Sequence, residues 1–213
     1  SGEEIAQVIN GLEMYHGSKD PEAVLREGFK GEELKVTSQL GRGIYMTADK
    51  GFASGFNENI ISIRTNFKKL FNLDQKYSAE DAIKFINDYI DTAKSLGLDK
   101  VEGSLRSQSG AGSEFLTAPE KFKENVFTSA FDMRYRTASE VQKFLRIRPR
   151  DITGKSLING LLEMSGAGYG RPTDSNHAKI LSAMGYDGMT QIGAGEVVAF
   201  REPFQKADGL LQE

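Results

Sequence analysis

Apolar positions along the chain recur with two periods, and each change of period marks an element. Residues 3–10 have helical spacing and stop near Gly11, after which Leu12-Glu-Met-Tyr15 alternates apolar and polar. That alternation predicts a first strand running into His16-Gly17-Ser18. Asp20-Pro21 opens a helix with proline in its first turn, running to Arg26 and closed by Gly28, and residues 29–40 read as a loop with room for a short strand. Gly41-Arg-Gly-Ile-Tyr-Met-Thr47 reads as a tight glycine turn feeding a short buried strand. Thr47 to Lys50 can start a helix over residues 49–56, which puts Phe52 and Phe56 on one face. Ile60-Ile-Ser-Ile-Arg64 alternates as a strand, with Leu70-Phe-Asn-Leu73 its apolar return.

From Ser78 the period becomes helical. Ser78-Ala-Glu-Asp81 resembles a capping box, and Ile83, Ile86, Ile90 and Ala93 recur at spacings of three or four until Gly97. Residues 103–113 are Gly/Ser-rich and predict a loop. Further helices are expected from Thr117-Ala-Pro119, over 138–146 and over 156–164, with a glycine-rich loop at 165–170. That loop lacks the Gly-Lys-Ser/Thr ending of a phosphate loop. This helical middle block is either a lid over a cleft or an outer layer of the core; periodicity does not choose between them. A helix over 174–184 stops at Gly185, residues 189–192 are extended, and Gly193-Ala-Gly195 leads into the β-rich run Glu196-Val-Val-Ala-Phe200. Strand-rich ends around a helical block give an α+β fold class.

Composition narrows the partners. With 213 residues, 38% of them hydrophobic, one domain spanning 1–213 is the default. A net charge of −3 gives no global reason for nucleic-acid or anionic-membrane binding; Lys68-Lys69 and Arg146-Ile-Arg-Pro-Arg150 are locally basic and most simply a solvated surface. The absence of cysteine removes disulfide and thiolate chemistry, and with only His16 and His177 a His/Cys metal site is hard to assemble. No apolar run approaches the roughly 18–20 residues of a membrane span, and no signal-like segment opens the chain.

Three short pieces carry candidate chemistry, each with an ordinary structural alternative. His16, at a strand end beside Gly17, stands where an imidazole can donate to a ligand hydroxyl and a bare backbone can bond an amide; it can equally be a satisfied core histidine. Tyr45 and Phe56 can face one another as walls of a slot for a flat ring, or be ordinary core. Glu196 opens a strand directly after glycines. A carboxylate there is either solvated or held to bond a sugar hydroxyl and stabilise nearby positive charge.

Taken together, Tyr15-His-Gly-Ser18, Gly41-Arg-Gly-Ile-Tyr-Met-Thr47 and Glu196-Val-Val-Ala-Phe200 resemble, in order and in placement at strand edges, the His-Tyr-Glu class of ADP-ribosyltransferases. That class includes poly-ADP-ribose polymerases and diphtheria-toxin-like enzymes. The likeness covers residues 12–74 and 174–206, where it extends to such domains of phage and bacterial multidomain proteins; between them nothing matches. It implies a split β-sandwich with residues 75–173 as a mostly helical insertion or lid, and NAD as co-substrate with no metal. His16 would contact the adenosine ribose, the Gly17 backbone the nicotinamide carboxamide, with Ser18 in support. Tyr45 would stack on the nicotinamide, Phe56 would be the second ring, and Ser54 a partner for the carboxamide. Glu196 would hold the ribose 2′-hydroxyl and stabilise the oxocarbenium ion.

The expected function is therefore mono-ADP-ribosyl transfer to a macromolecular acceptor, protein before nucleic acid, by a monomeric phage or bacterial effector working in the cytoplasm of the producing or the target cell. The alternatives are an NAD glycohydrolase toxin and a non-catalytic nucleotide- or partner-binding module of a larger protein. Ala194 stands two residues before Glu196, where arginine-modifying relatives place Glu or Gln, so arginine is the less expected target.

Overall fold

A computed structural model describes residues 1–29, 43–55, 59–99, 131–164, 174–201 and 210–211. Among these are seven α-helices and a mixed sheet, so the α+β class holds. The described residues group into two compact units, one of 1–29, 43–55, 59–75, 181–201 and 210–211, the other of 76–99, 131–164 and 174–180.

The first unit is built on the sheet. Its strands are β1 (Glu13–Gly17), β2 (Ile44–Thr47), β3 (Ile60–Arg64), β4 (Leu70–Asn72), β5 (Gly188–Gln191) and β6 (Glu196–Ala199), in the order β4-β5-β6-β2-β1-β3. A two-residue strand, β7 (Leu210–Leu211), pairs outside β3. All pairs are antiparallel except β4 with β5. Alternation sends Met14, Ile44, Met46, Ile61, Ile63, Val197 and Ala199 into one core with Ala6 and Ile9 of α1 (Gly2–Asn10) and Val24 of α2 (Pro21–Glu27). Both helices begin where local chemistry stops the backbone donors from being orphaned. Ser1 and Glu4 form a capping box on α1, and Asp20 accepts from Ala23 N ahead of Pro21 on α2.

The Gly185-Tyr-Asp-Gly188 turn is held by one carboxylate. Asp187 accepts from the backbone N–H of Lys68 and of Lys69 and from Arg201 Nε at 3.0 Å, and Arg201 also donates to the side chain and the carbonyl of Asn66, both at 3.1 Å. Burial alone would raise this carboxyl, but the bonds from Arg201 and the two backbone donors outweigh it and hold the group below its ordinary range. The latch fixes where β4 begins relative to β5 and to the end of β6. It also gives the Lys68-Lys69 pair a local structural use: Lys69 Nζ lies 4.8 Å from the centre of the Tyr186 ring.

In the second unit α4 (Ala79–Ser95) starts at Ser78, which accepts from Asp81 N, and buries Ala82, Phe85, Ile86, Tyr89, Ile90 and Ala93 at spacings of three and four. Beside it are α5 (Ala138–Leu145), opened by a capping box between Thr137 and Glu140, and α6 (Gly154–Met164), which buries Leu157, Ile158, Leu161 and Leu162. The next helix, α7 (Asp174–Ala183), brings in His177. The expected loops at 103–113 and 165–170 and the helix from Thr117 lie outside the described residues.

His177 is 1% exposed, its Nδ1 lies 2.9 Å from the Tyr89 hydroxyl, and its Nε2 has no partner among the described residues. Burial pushes this imidazole down from 6.5 to about 3. An unfolded histidine titrates near its ordinary value, so below about pH 6.5 the unfolded chain binds a proton that the folded chain does not. Stability is then full above that pH and falls with acidification, by roughly 1.4 kcal/mol per pH unit. Urea midpoints measured between pH 7 and pH 5 are expected to show that slope in the native chain and to lose it in His177→Leu, whatever the constant offset between the two.

Candidate functional site

β2 lies between β1 and β6, and its two registers decide which side chains can act together. On one side Ile44, Tyr45, Met46 and Thr47 stand opposite Ala199, Val198, Val197 and Glu196; on the other, Tyr15 stands opposite Thr47. Directly opposed residues share a face and faces alternate along a strand. Tyr45, Thr47, Glu196, Val198 and Tyr15 therefore occupy the face away from the core that holds Met14, Met46 and Val197. Tyr45 and Glu196 are diagonal neighbours on adjacent strands, a relation that separates residues by about 7–8 Å and lets long side chains meet. Both are half-buried.

Local backbone chemistry fixes this geometry. Gly43 precedes β2, and a Cβ there would lie 2.6 Å from Val198 Cγ1 and 2.8 Å from the Ala199 carbonyl oxygen. Only glycine lets the chain approach β6 so closely. At the start of β6 a short 3₁₀ turn, Ile192–Ala194, ends on Gly195 in the left-handed region at φ 66°. The Gly195 carbonyl accepts from Ala48 N at 2.9 Å, tying the approach to Glu196 to the exit from β2. The Glu196 carbonyl in turn accepts from Thr190 Oγ1 at 2.9 Å. Thr47 Oγ1 accepts from Asp49 N at 3.0 Å, and Asp49 caps α3 (Lys50–Ser54).

Of the two readings of His16, its surroundings are those of the core histidine. It alternates with Tyr15, so it belongs to the core side with Met14, where it is 3% exposed and meets the edge of Phe29 with ring centres 5.1 Å apart. Its Nδ1 lies 2.6 Å from the Tyr45 carbonyl. A carbonyl only accepts, so Nδ1 carries the proton and, in the neutral ring, Nε2 is an acceptor; the ring would receive a ligand hydroxyl's hydrogen bond rather than donate one. The contact also marks a seam. β1 and β3 are paired along the whole of β1, whereas β1 and β2 share only the Tyr15–Thr47 register pair, beyond which the imidazole meets the β2 backbone.

Gly17 ends β1 opposite Ile60 of β3. Ser18 is fully buried; its Oγ accepts from Asp20 N at 3.2 Å, and its N–H donates to Asn59, so it serves the start of α2. The hydroxyl of Ser54, at the exposed end of α3, donates to Gly51 O at 2.7 Å within its own turn. Phe56 lies outside the described residues, and Phe52, its expected neighbour on the helix, is 47% exposed.

Sequence reasoning passed over a polar cluster on the Tyr45 face. Ser62 Oγ donates to the Glu13 carboxylate, and Tyr15, opposite Ser62, also bonds it; these two bonds, the Ser62 one foremost, hold Glu13 below its ordinary value. The signal was present in Leu12-Glu-Met-Tyr15, whose alternation puts Glu13 and Tyr15 on one face. Among the described residues no group of three or more His, Cys, Asp or Glu is placed to hold a metal ion, and no helix is long and apolar enough to cross a membrane.

Comparison with protein families, with curated proteins and with solved structures returned no match.

Because the β2–β6 approach leaves no room for a side chain at residue 43, Gly43→Ala is expected to cost about 1–3 kcal/mol. This is read as a lower thermal midpoint; an unchanged midpoint would mean that the two strands are not so close.

Proposed function

We propose that the chain is a mono-ADP-ribosyltransferase that breaks the nicotinamide glycosidic bond of NAD and transfers ADP-ribose to a protein acceptor. The observation that carries this reading is the pairing of Tyr45 and Glu196 as half-buried diagonal neighbours on one sheet face. Breaking that bond develops positive charge on the ribose. A preorganised carboxylate lowers the barrier to it, and an aromatic wall orients the departing flat ring and excludes water. In this division of labour Glu196 holds the ribose hydroxyl and faces the developing charge, Tyr45 stacks on the nicotinamide, and the Gly17 backbone bonds its carboxamide.

His16 contributes first by anchoring the Tyr45 carbonyl; contact of its Nε2 with the adenosine ribose requires the β1–β2 seam to part. That seam also supports the finer fold expectation. The strands form one continuous ladder, so a split sandwich here is a divergence of β1 from β2 rather than a break between two sheets. Ala194 sits exposed in the turn before Glu196, so no acid stands two residues ahead to engage a guanidinium, and a non-arginine acceptor is favoured.

Incubating the chain with labelled NAD and cell lysate is expected to label protein and release nicotinamide. Glu196→Ala should cut turnover about 100-fold or more while NAD still binds, since the carboxylate acts chiefly on the transition state. Tyr45→Ala should weaken NAD binding in calorimetry. Label recovered only as free ADP-ribose would make the chain a glycohydrolase, and no nicotinamide release at all would make it a binding module; either outcome contradicts the proposal.

A further inference from the structure

The 3₁₀ turn that leads into Glu196 begins without a cap of its own. Ile192–Ala194 follows Gln191, whose side chain makes no capping hydrogen bond. The first backbone N–H groups of a helical turn have no partner inside it. One of them, the Gly193 N–H, donates to Asp74 Oδ2 at 3.1 Å, so the missing cap is supplied from the chain just beyond β4.

That piece of chain is built to present a carboxylate there. Leu73 is buried, and its N–H donates to the Thr190 carbonyl at 2.9 Å, continuing the β4–β5 pairing in which Asn72 stands opposite Thr190. Asn72 then turns the chain: its side-chain oxygen accepts from Asp74 N at 3.0 Å and its carbonyl from Gln75 N at 3.3 Å. Asparagine suits this turn because its side chain reaches the backbone two residues on. An ionised carboxylate accepts an N–H more strongly than a neutral oxygen does.

The far end of the turn is held separately, by the Gly195 carbonyl on Ala48 N and the Glu196 carbonyl on Thr190 Oγ1. Gly193-Ala-Gly195 is the stretch between these holds, and its two glycines give the backbone little stiffness of its own. The bond to Asp74 supplies the restraint that the sequence of the turn does not. Displacing a reacting group by about 1 Å can cost up to about 100-fold in rate, so restraint of this approach bears on how Glu196 meets the ribose. Resting on the reading of Glu196 as the acting carboxylate, we propose that Asp74 is a positioning residue for it, acting through the Gly193 N–H.

Nicotinamide release from NAD by the full chain, with amide hydrogen exchange in the same variants, tests this. Asp74→Ala should lower kcat about tenfold and leave KM for NAD within about twofold, because the loss falls on a group that acts chiefly in the transition state. Asp74→Asn keeps an oxygen for the Gly193 N–H and should recover most of that loss. Asp74→Ala joined to Glu196→Ala should be no slower than Glu196→Ala alone, since a residue that acts only through another adds nothing once the other is gone. Exchange at the Gly193 amide should quicken in Asp74→Ala and not in Asp74→Asn, whether or not NAD is cleaved. If the native chain releases no nicotinamide, the functional reading fails and the role of Asp74 with it, and the exchange result then stands for the bond alone. Unchanged exchange or unchanged kcat in Asp74→Ala, equal losses in the Ala and Asn variants, or a further loss in the double variant would overturn the proposal.

Discussion

The first unit depends on the pairing of β2 with β6. Each residue of β2 has one partner on β6, from Ile44 opposite Ala199 to Thr47 opposite Glu196. Because side chains alternate, a slip of one residue would send Glu196 into the core and Val197 out of it. Burial of Ile44, Met46, Val197 and Ala199 on one face opposes that slip, and the close approach at Gly43 opposes it sterically. Packing thus places the carboxylate beside the tyrosine, and the chemistry proposed for them depends on that placement.

Much of this was legible in local sequence. Asp20-Pro21 announces α2, and Ser78 with its period of three and four announces α4; both helices begin where capping chemistry puts them. The Ile60–Arg64 strand followed from alternation alone. Ends set by backbone geometry were less legible. β5 closes at Gln191 rather than 192 because Ile192 enters the 3₁₀ turn that Gly195 terminates, and α3 spans Lys50–Ser54 rather than 49–56.

What sequence could not supply is strand order. Nothing local says that β2 lies between β1 and β6, or that β5 pairs in parallel with β4; those are long-range choices made by packing and by the Asp187 latch. The position of His16 was within reach: continuing the alternation of Met14 and Tyr15 by one residue puts the imidazole on the core side. The left-handed backbone of Arg146, in the basic run 146–150, is likewise a feature that composition does not contain.

The register of β2 against β6 is open to direct measurement because the chain has no cysteine of its own. Opposed residues on antiparallel strands have Cα atoms about 4.5–5.5 Å apart, within the range that a disulfide spans. Mild oxidation of a chain carrying Tyr45→Cys and Val198→Cys should close an intramolecular disulfide, while Tyr45→Cys with Val197→Cys should stay reduced. Ready closure of the second pair and not the first would mean that Glu196 faces the core, and the account of a shared face with Tyr45 would be wrong.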